Sequence, residues 1–167
     1  MKKQTGFSLI ELLIVVAIIL IIAAIAIPNL IKSKLAANEA GAGGTTRTIN
    51  TGEATYSSVC PQIGYSASLA TLASGGGCPS GTGIIDNVLA TGVKGGYNYV
   101  EAGAAAGGGA INDSFQTTAT PTTPGTTGNR QFCSSQTNVI YFAPTGAGCT
   151  PDTVAGGVVT AGGPNVM

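Results

Sequence analysis

The chain has 167 residues, 44% of them apolar and only 8% charged, and it contains neither His nor Trp. Without His it lacks the commonest general base and the commonest metal ligand, so most nucleophile-activating and metal-assisted chemistry is excluded at the outset. The formal charge is zero; once Met1–Gly6 is set aside, five basic and seven acidic side chains remain, a net charge of −2 that gives no electrostatic footing for nucleic acid.

Met1–Gly6 reads as a short basic leader, with Lys2 and Lys3. Behind it, Phe7 to Ile27 is apolar except for Ser8 and Glu11. As a helix this stretch would be about 30 Å long, the thickness of a bilayer's hydrocarbon core. A carboxylate inside such a segment costs roughly 2.5–3.5 kcal/mol on insertion scales, so Glu11 calls for a specific partner. Pro28 removes a backbone donor and crowds the carbonyl four residues back, which predicts a kink or local unwinding near Ala24–Pro28. Lys32 and Lys34 mark the exit from the apolar stretch. The helix is expected to run from Phe7 to about Tyr56, with Leu35, Ala42, Ile49 and Tyr56 seven apart on one face. Gly41, Gly43 and Gly44 weaken it, each by about 1 kcal/mol relative to Ala.

The texture changes at Cys60. Short helices are expected over Ser66–Ala73 and Ile84–Ala90, and strands over Tyr97–Val100 and Phe115–Thr120. A hairpin is expected from Gln131–Cys133 and Val139–Phe142, with Ser134–Asn138 as its turn. Gly103–Gly109, Thr120–Gly128 and the tail from Ala155 are Gly- or Thr/Pro-rich and read as loops. The fold class is therefore α+β: a long N-terminal helix packed on a small antiparallel sheet. Its expected divisions are a leader (1–6), an apolar helix (7–29), an amphipathic continuation (30–58) and a globular β domain (59–167).

The four cysteines, Cys60, Cys78, Cys133 and Cys149, contain no C-x-x-C, which disfavours zinc or thioredoxin-type roles. Their even number favours disulfides formed outside the cytoplasm. Three connectivities are possible; the sequential pairs Cys60–Cys78 and Cys133–Cys149 are favoured because each closes a short, Gly-containing loop. Asp86-Asn87 and Asn112-Asp113 offer oxygens to a Ca²⁺ ion, but turn formation is the commoner use of such pairs. Asn112-Asp113-Ser114 matches an N-glycosylation pattern, and the Thr/Pro-rich stretch Thr117–Thr127 has the composition of O-glycosylated stalks. Gly75-Gly76-Gly77 lacks the Lys-Ser or Lys-Thr of a phosphate loop. The five tyrosines read as core and interface residues rather than an electron path. No cofactor and no metal site is expected, and no enzymatic activity.

The run Gly6-Phe7-Ser8-Leu9-Ile10-Glu11 with its following Leu-Leu-Ile-Val-Val-Ala resembles the N-terminus of type IV pilins, over roughly the first thirty residues; Pro28 agrees with the same pattern. The resemblance implies cleavage between Gly6 and Phe7 by a membrane-embedded prepilin peptidase, and N-methylation of Phe7. It also implies residence in the bacterial inner membrane, followed by polymerisation by a pilus assembly machine into an extracellular homo-oligomeric filament. Glu11 would then set subunit register by facing the Phe7 amine of an adjacent copy. The implied function is that of a major pilin serving adhesion or motility. The alternatives within the same architecture are a major pseudopilin of a type II secretion system, or a minor pilin acting as adhesin or DNA-uptake subunit. An ordinary secretory signal would offer Ala24-Ile25-Ala26 for cleavage, but its apolar region would be shorter and free of a carboxylate. A permanent single-span anchor leaves Glu11 unexplained.

Overall fold

The computed structural model describes residues 7–78, 83–105, 109–150, 153–155 and 158–160. The chain divides into two compact units, Met1–Lys34 and Leu35–Met167. Helix α1 (Leu9–Val59, 51 residues) contributes to both.

In the first unit α1 has an apolar surface and no core of its own. Its large apolar side chains between Phe7 and Ile31 are exposed by 45% at Val16 to 80% at Leu9. Helical structure continues across Ala24–Pro28, so the local unwinding expected there is absent. Helix structure begins two residues later than expected, after Phe7 and Ser8; the Ser8 carbonyl accepts from the amides of Glu11 (3.1 Å) and Leu12 (3.2 Å).

The second unit is built on the other half of α1. Here Ala42, Gly43, Thr46, Ile49, Asn50, Gly52, Glu53 and Tyr56 are buried. The glycines at 41, 43 and 44 do not end the helix, because the packing of this face outweighs about 1 kcal/mol of propensity per glycine. Two of the helix's glycines are themselves buried. At Gly52 an added Cβ would lie 3.3 Å from Ile85 Cγ2 and 3.3 Å from Leu72 Cδ2, so the missing side chain lets the cover segments approach closely.

That cover comprises α2 (Leu69–Ser74) and α3 (Asn87–Ala90), which bury Leu69, Leu72 and Leu89. Ser68 caps α2, accepting from the Thr71 amide, and Gly75 ends it in the left-handed conformation (φ 65°). Asp86 caps α3 by accepting from the Leu89 amide at 2.8 Å. Both helices start about three residues later than expected, at these capping side chains, which compete for the backbone amides that would otherwise extend the helix.

The sheet is an antiparallel meander in the order β1 (Val93–Lys94), β2 (Tyr97–Ala104), β3 (Ser114–Pro121), β4 (Arg130–Ser135) and β5 (Ile140–Pro144). Register runs Tyr99↔Ala119, Ala119↔Phe132 and Phe132↔Phe142 across β2 to β5. Inward-facing Tyr97, Tyr99, Ala119, Phe132 and Ile140 join Ala42, Ile49, Tyr56 and the leucines of the cover in one apolar core. Three segments read as loops are partly strand, including Thr120 and Pro121, which pair with Asn98 and Tyr97 at the end of β3. Gly103 and Ala104 extend β2, paired with Phe115 and Ser114. The tail holds a second antiparallel pair, β6 (Thr153–Ala155) with β7 (Val158–Thr160), whose Val154↔Val159 partners are β-branched. Gly composition misled there, since in the sequence Gly156-Gly157 separates the two strands, which is itself a hairpin signal.

Cys60 is bonded to Cys78 and Cys133 to Cys149, with Cα separations of 5.6 and 5.8 Å. The first bond ties the end of α1 to the segment after α2; the second ties β4 to the chain beyond β5. Loops closed over 18 and 16 residues each contribute roughly 3 kcal/mol on chain-entropy grounds.

Two stability measurements test this architecture. The Cys60→Ser/Cys78→Ser double variant is expected to lose about 2–4 kcal/mol in urea melts. Gly52→Leu is expected to lose about 1–3 kcal/mol by overpacking against Leu72 and Ile85, with the helical signal of α1 retained in circular dichroism.

Candidate functional site

Two regions carry chemistry that the fold itself does not require. The first is the N-terminal part of α1. The apolar stretch is long enough to cross a membrane and none of its most apolar window is buried. A core helix of a soluble protein passes the same length test but would be covered, so the exposure separates the two readings. Glu11 lies in the first turn of α1, where a carboxylate is favoured by the unsatisfied amides. Phe7 is 79% exposed and precedes the helix. Gly6 and the rest of the expected leader fall outside the described residues.

The second region is polar and lies inside the second unit, where composition gave no reason to expect it. Glu53 on α1 has no solvent exposure, and Glu101 on β2 has 6%. Both reach Ser66, itself fully buried, in the loop between α1 and α2. The Ser66 amide donates to Glu53 Oε2 at 2.8 Å and its hydroxyl lies 2.5 Å from Glu53 Oε1. The same hydroxyl oxygen is 3.1 Å from Glu101 Oε2 and 3.1 Å from the Ser68 carbonyl. Glu101 Oε1 is buried without a hydrogen-bond partner among the described residues. Burial pushes the Glu53 carboxyl above the ordinary carboxylate range, against the opposing pull of its two hydrogen bonds from Ser66. Glu101 is pushed up to about 8, first by burial, then by the charge of Glu53, with the Ser66 hydrogen bond opposing.

Both glutamates were legible as inward residues. Glu53 sits four residues after Ile49 and three before Tyr56, on the same helix face. Glu101 continues the period-2 alternation of Tyr97 and Tyr99 by one more step. Stopping the strand at Val100 concealed it.

The remaining candidates resolve into structural roles. Asp86 caps α3 and pairs with Lys94 at 2.7 Å on the surface; the Lys94 hydrogen bond, then the Leu89 amide, lowers its carboxyl below the usual range. Asn112 spends its side-chain Nδ2 donating to the Tyr65 carbonyl at 3.0 Å, which engages the nitrogen that an N-linked sugar would need. No group of three or more potential metal ligands occurs among the described residues. Tyr56, Tyr97, Tyr99 and Tyr141 are buried, and Tyr65 packs on Phe115 at 4.9 Å between ring centroids. Tyr97 donates to the Arg130 carbonyl at 2.9 Å, and burial followed by the charge of Glu39 pushes its hydroxyl up to about 12.

Residues 1–27 match the family signature described as the prokaryotic N-terminal methylation motif. The signature falls on the exposed apolar part of a helix whose second half packs on a five-stranded antiparallel sheet, consistent with the α+β type IV pilin fold. Among characterised proteins, the chain is similar to the type IV wide pilus major component PilA4 of Thermus thermophilus, with 56% identity over 39 residues. The shared stretch covers 23% of this chain and 30% of that relative. No solved structure matches the chain.

Ser66→Ala tests the polar region. It removes the hydroxyl shared by two buried carboxyls and leaves both less satisfied, so a loss of about 1–3 kcal/mol is expected in thermal or urea melts. A change within about 0.5 kcal/mol would show that the cluster contributes nothing to the native state.

Proposed function

We propose that this chain is a structural subunit of a type IV pilus, the major pilin, and that it is not an enzyme. Residues 1–6 are a leader, 7–29 the membrane and filament-core helix, 30–58 its amphipathic continuation, and 59–167 the disulfide-stapled surface domain. The observation that carries the reading is the conjunction of the methylation motif with an entirely uncovered apolar helix. Such a surface is stable in lipid, or against identical surfaces of neighbouring copies, and in no third setting a cell provides in quantity.

On this reading prepilin peptidase cuts between Gly6 and Phe7, and the new Phe7 amine is methylated while the subunit resides in the inner membrane. The assembly machine then moves it into a helical homo-oligomer outside the cell. Glu11 faces the Phe7 amine of an adjacent copy in the filament core. Desolvation offsets much of that attraction, so the pair serves register more than affinity. Pro28 interrupts the backbone ladder and marks where the helix bends most readily as subunits pack. Adhesion and surface motility are the uses such a filament supports; nothing in the described residues favours nucleic acid.

A type II secretion pseudopilin is the second reading. The two disulfides and the absence of a metal-ligand cluster among the described residues favour the pilus instead.

Mass spectrometry of material sheared from the cell surface distinguishes these. A terminal peptide beginning at methylated Phe7 in abundant filaments is expected; a terminus after Ala26, or membrane-bound monomer alone, rejects the proposal. Glu11→Ala is expected to be cleaved normally yet to reduce surface filaments at least tenfold by shearing and immunoblot. Filament yield equal to wild type would remove Glu11 from register.

A further inference from the structure

We propose that Glu53, Ser66 and Glu101 form a buried proton-sharing latch. Glu101 stays protonated at neutral pH and donates to Ser66, and mildly alkaline conditions release this tie between β2 and α1.

The argument is one of counting hydrogens. Ser66 Oγ carries a single hydrogen and is surrounded by three acceptors: Glu53 Oε1, Glu101 Oε2 and the Ser68 carbonyl. The Ser66 amide donates to Glu53 Oε2, and the shortest of the three hydroxyl contacts, 2.5 Å, assigns the hydroxyl hydrogen to Glu53 Oε1. With both carboxyls ionised, Glu101 Oε2 would face a lone pair of Ser66 Oγ, and Glu101 Oε1 has no hydrogen-bond partner among the described residues. Two buried negative charges would then share one neutral hydroxyl, which a low-dielectric interior penalises heavily. One proton on Glu101 Oε2 removes the conflict. It creates a directed chain, Glu101 to Ser66 to Glu53, and leaves Glu101 Oε1 as the carbonyl oxygen of a neutral acid, the cheaper atom to bury unpaired.

Neighbouring groups do not supply a substitute. From α1 the titratable groups here are Glu53 and Tyr56, and from the loop Tyr65; Glu53's charge raises both tyrosine hydroxyls further after burial has done so. Opposite Glu101 on β3 stands Thr117, whose hydroxyl donates to the Val100 carbonyl. No lysine or arginine forms an ion pair with either glutamate among the described residues.

The pH dependence follows from linkage. A glutamate released from the fold loses its proton near 4.5, whereas folded Glu101 keeps it until about 8. The stabilisation is complete below about 4.5, declines as the pH rises, and is gone once the pH passes about 8. On deprotonation the proton passes to hydroxide or buffer base, Glu101 becomes a second buried anion, and the loop bearing Ser66 loosens while the Cys60–Cys78 bond keeps its ends tied.

The test uses the full chain in detergent micelles and compares wild type with Glu101→Gln, which keeps a neutral donor at the same place. Wild type is expected to show the carbonyl stretch of a protonated carboxyl in infrared difference spectra between about pH 6 and about pH 10. Its midpoint should fall near 8. Glu101→Gln should lack that band and should lose most of the fall in Tm over the same range. At about pH 9 the Ser66 amide should exchange at least tenfold faster in wild type than in Glu101→Gln, and at about pH 6 equally. Absence of the band in wild type overturns the latch, whether or not the variant folds. A band that persists unchanged in Glu101→Gln places the proton on another group and overturns it equally.

Discussion

The second unit depends on one face of α1. Ala42, Ile49 and Tyr56, fully or almost fully buried, lie against the inward side chains of β2 to β5. Gly52 on the same helix leaves room for Leu72 and Ile85 of the cover, at a cost in helix propensity. The sheet holds the helix and the helix supplies the sheet's missing layer. A five-stranded meander with one apolar face has no stable existence without such a cover. Leu72, Leu89 and Ile85 close the remaining side, and the two disulfides fasten the connections that a glycine-rich chain would otherwise leave entropically expensive.

The first half of the same helix obeys a different rule. No side chain between Phe7 and Lys34 is fully buried, so its apolar surface has to be satisfied by lipid or by another chain. On the proposed function, a subunit that lives first in a bilayer and then in a polymer meets that requirement in both places. The charged exceptions mark the limits of the segment, Glu11 near its start and Lys32 and Lys34 beyond its end.

The polar interior shows how a small domain specifies a unique arrangement. Glu53, Ser66 and Glu101 come from a helix, a loop and a strand, and the bonds among them can be made in only one relative placement of the three. Asn50 adds a similar tie, donating to the Ser134 hydroxyl at 2.7 Å, which in turn donates to the Val139 carbonyl. Each of these bonds contributes modestly, but breaking one leaves its buried donor or acceptor unmatched, which costs more than the bond itself yields, so placements that break them are disfavoured.

The amino-acid sequence by itself determined the features governed by short-range patterns: the apolar span after Gly6, the charge at Glu11, the seven-residue stripe of α1, and strands wherever alternation was strong, as in Tyr97–Val100 and Val139–Phe142. It also carried the choice of fold class, because a long apolar helix followed by short alternating segments has few ways to pack. Tertiary structure alone decided where local signals were weak or opposed. It sustained the expected helix through Gly41, Gly43 and Gly44, where burial outweighs propensity. It started α2 and α3 at Ser68 and Asp86, where side chains claim the first amides. It turned Gly103-Ala104, and residues 153–155 and 158–160, into strand through cross-strand pairing that no single segment displays. Above all, it brought Glu53 and Glu101, 48 residues apart in the sequence, onto one serine, because the meeting of two inward faces is a property of the register between helix and sheet rather than of either alone.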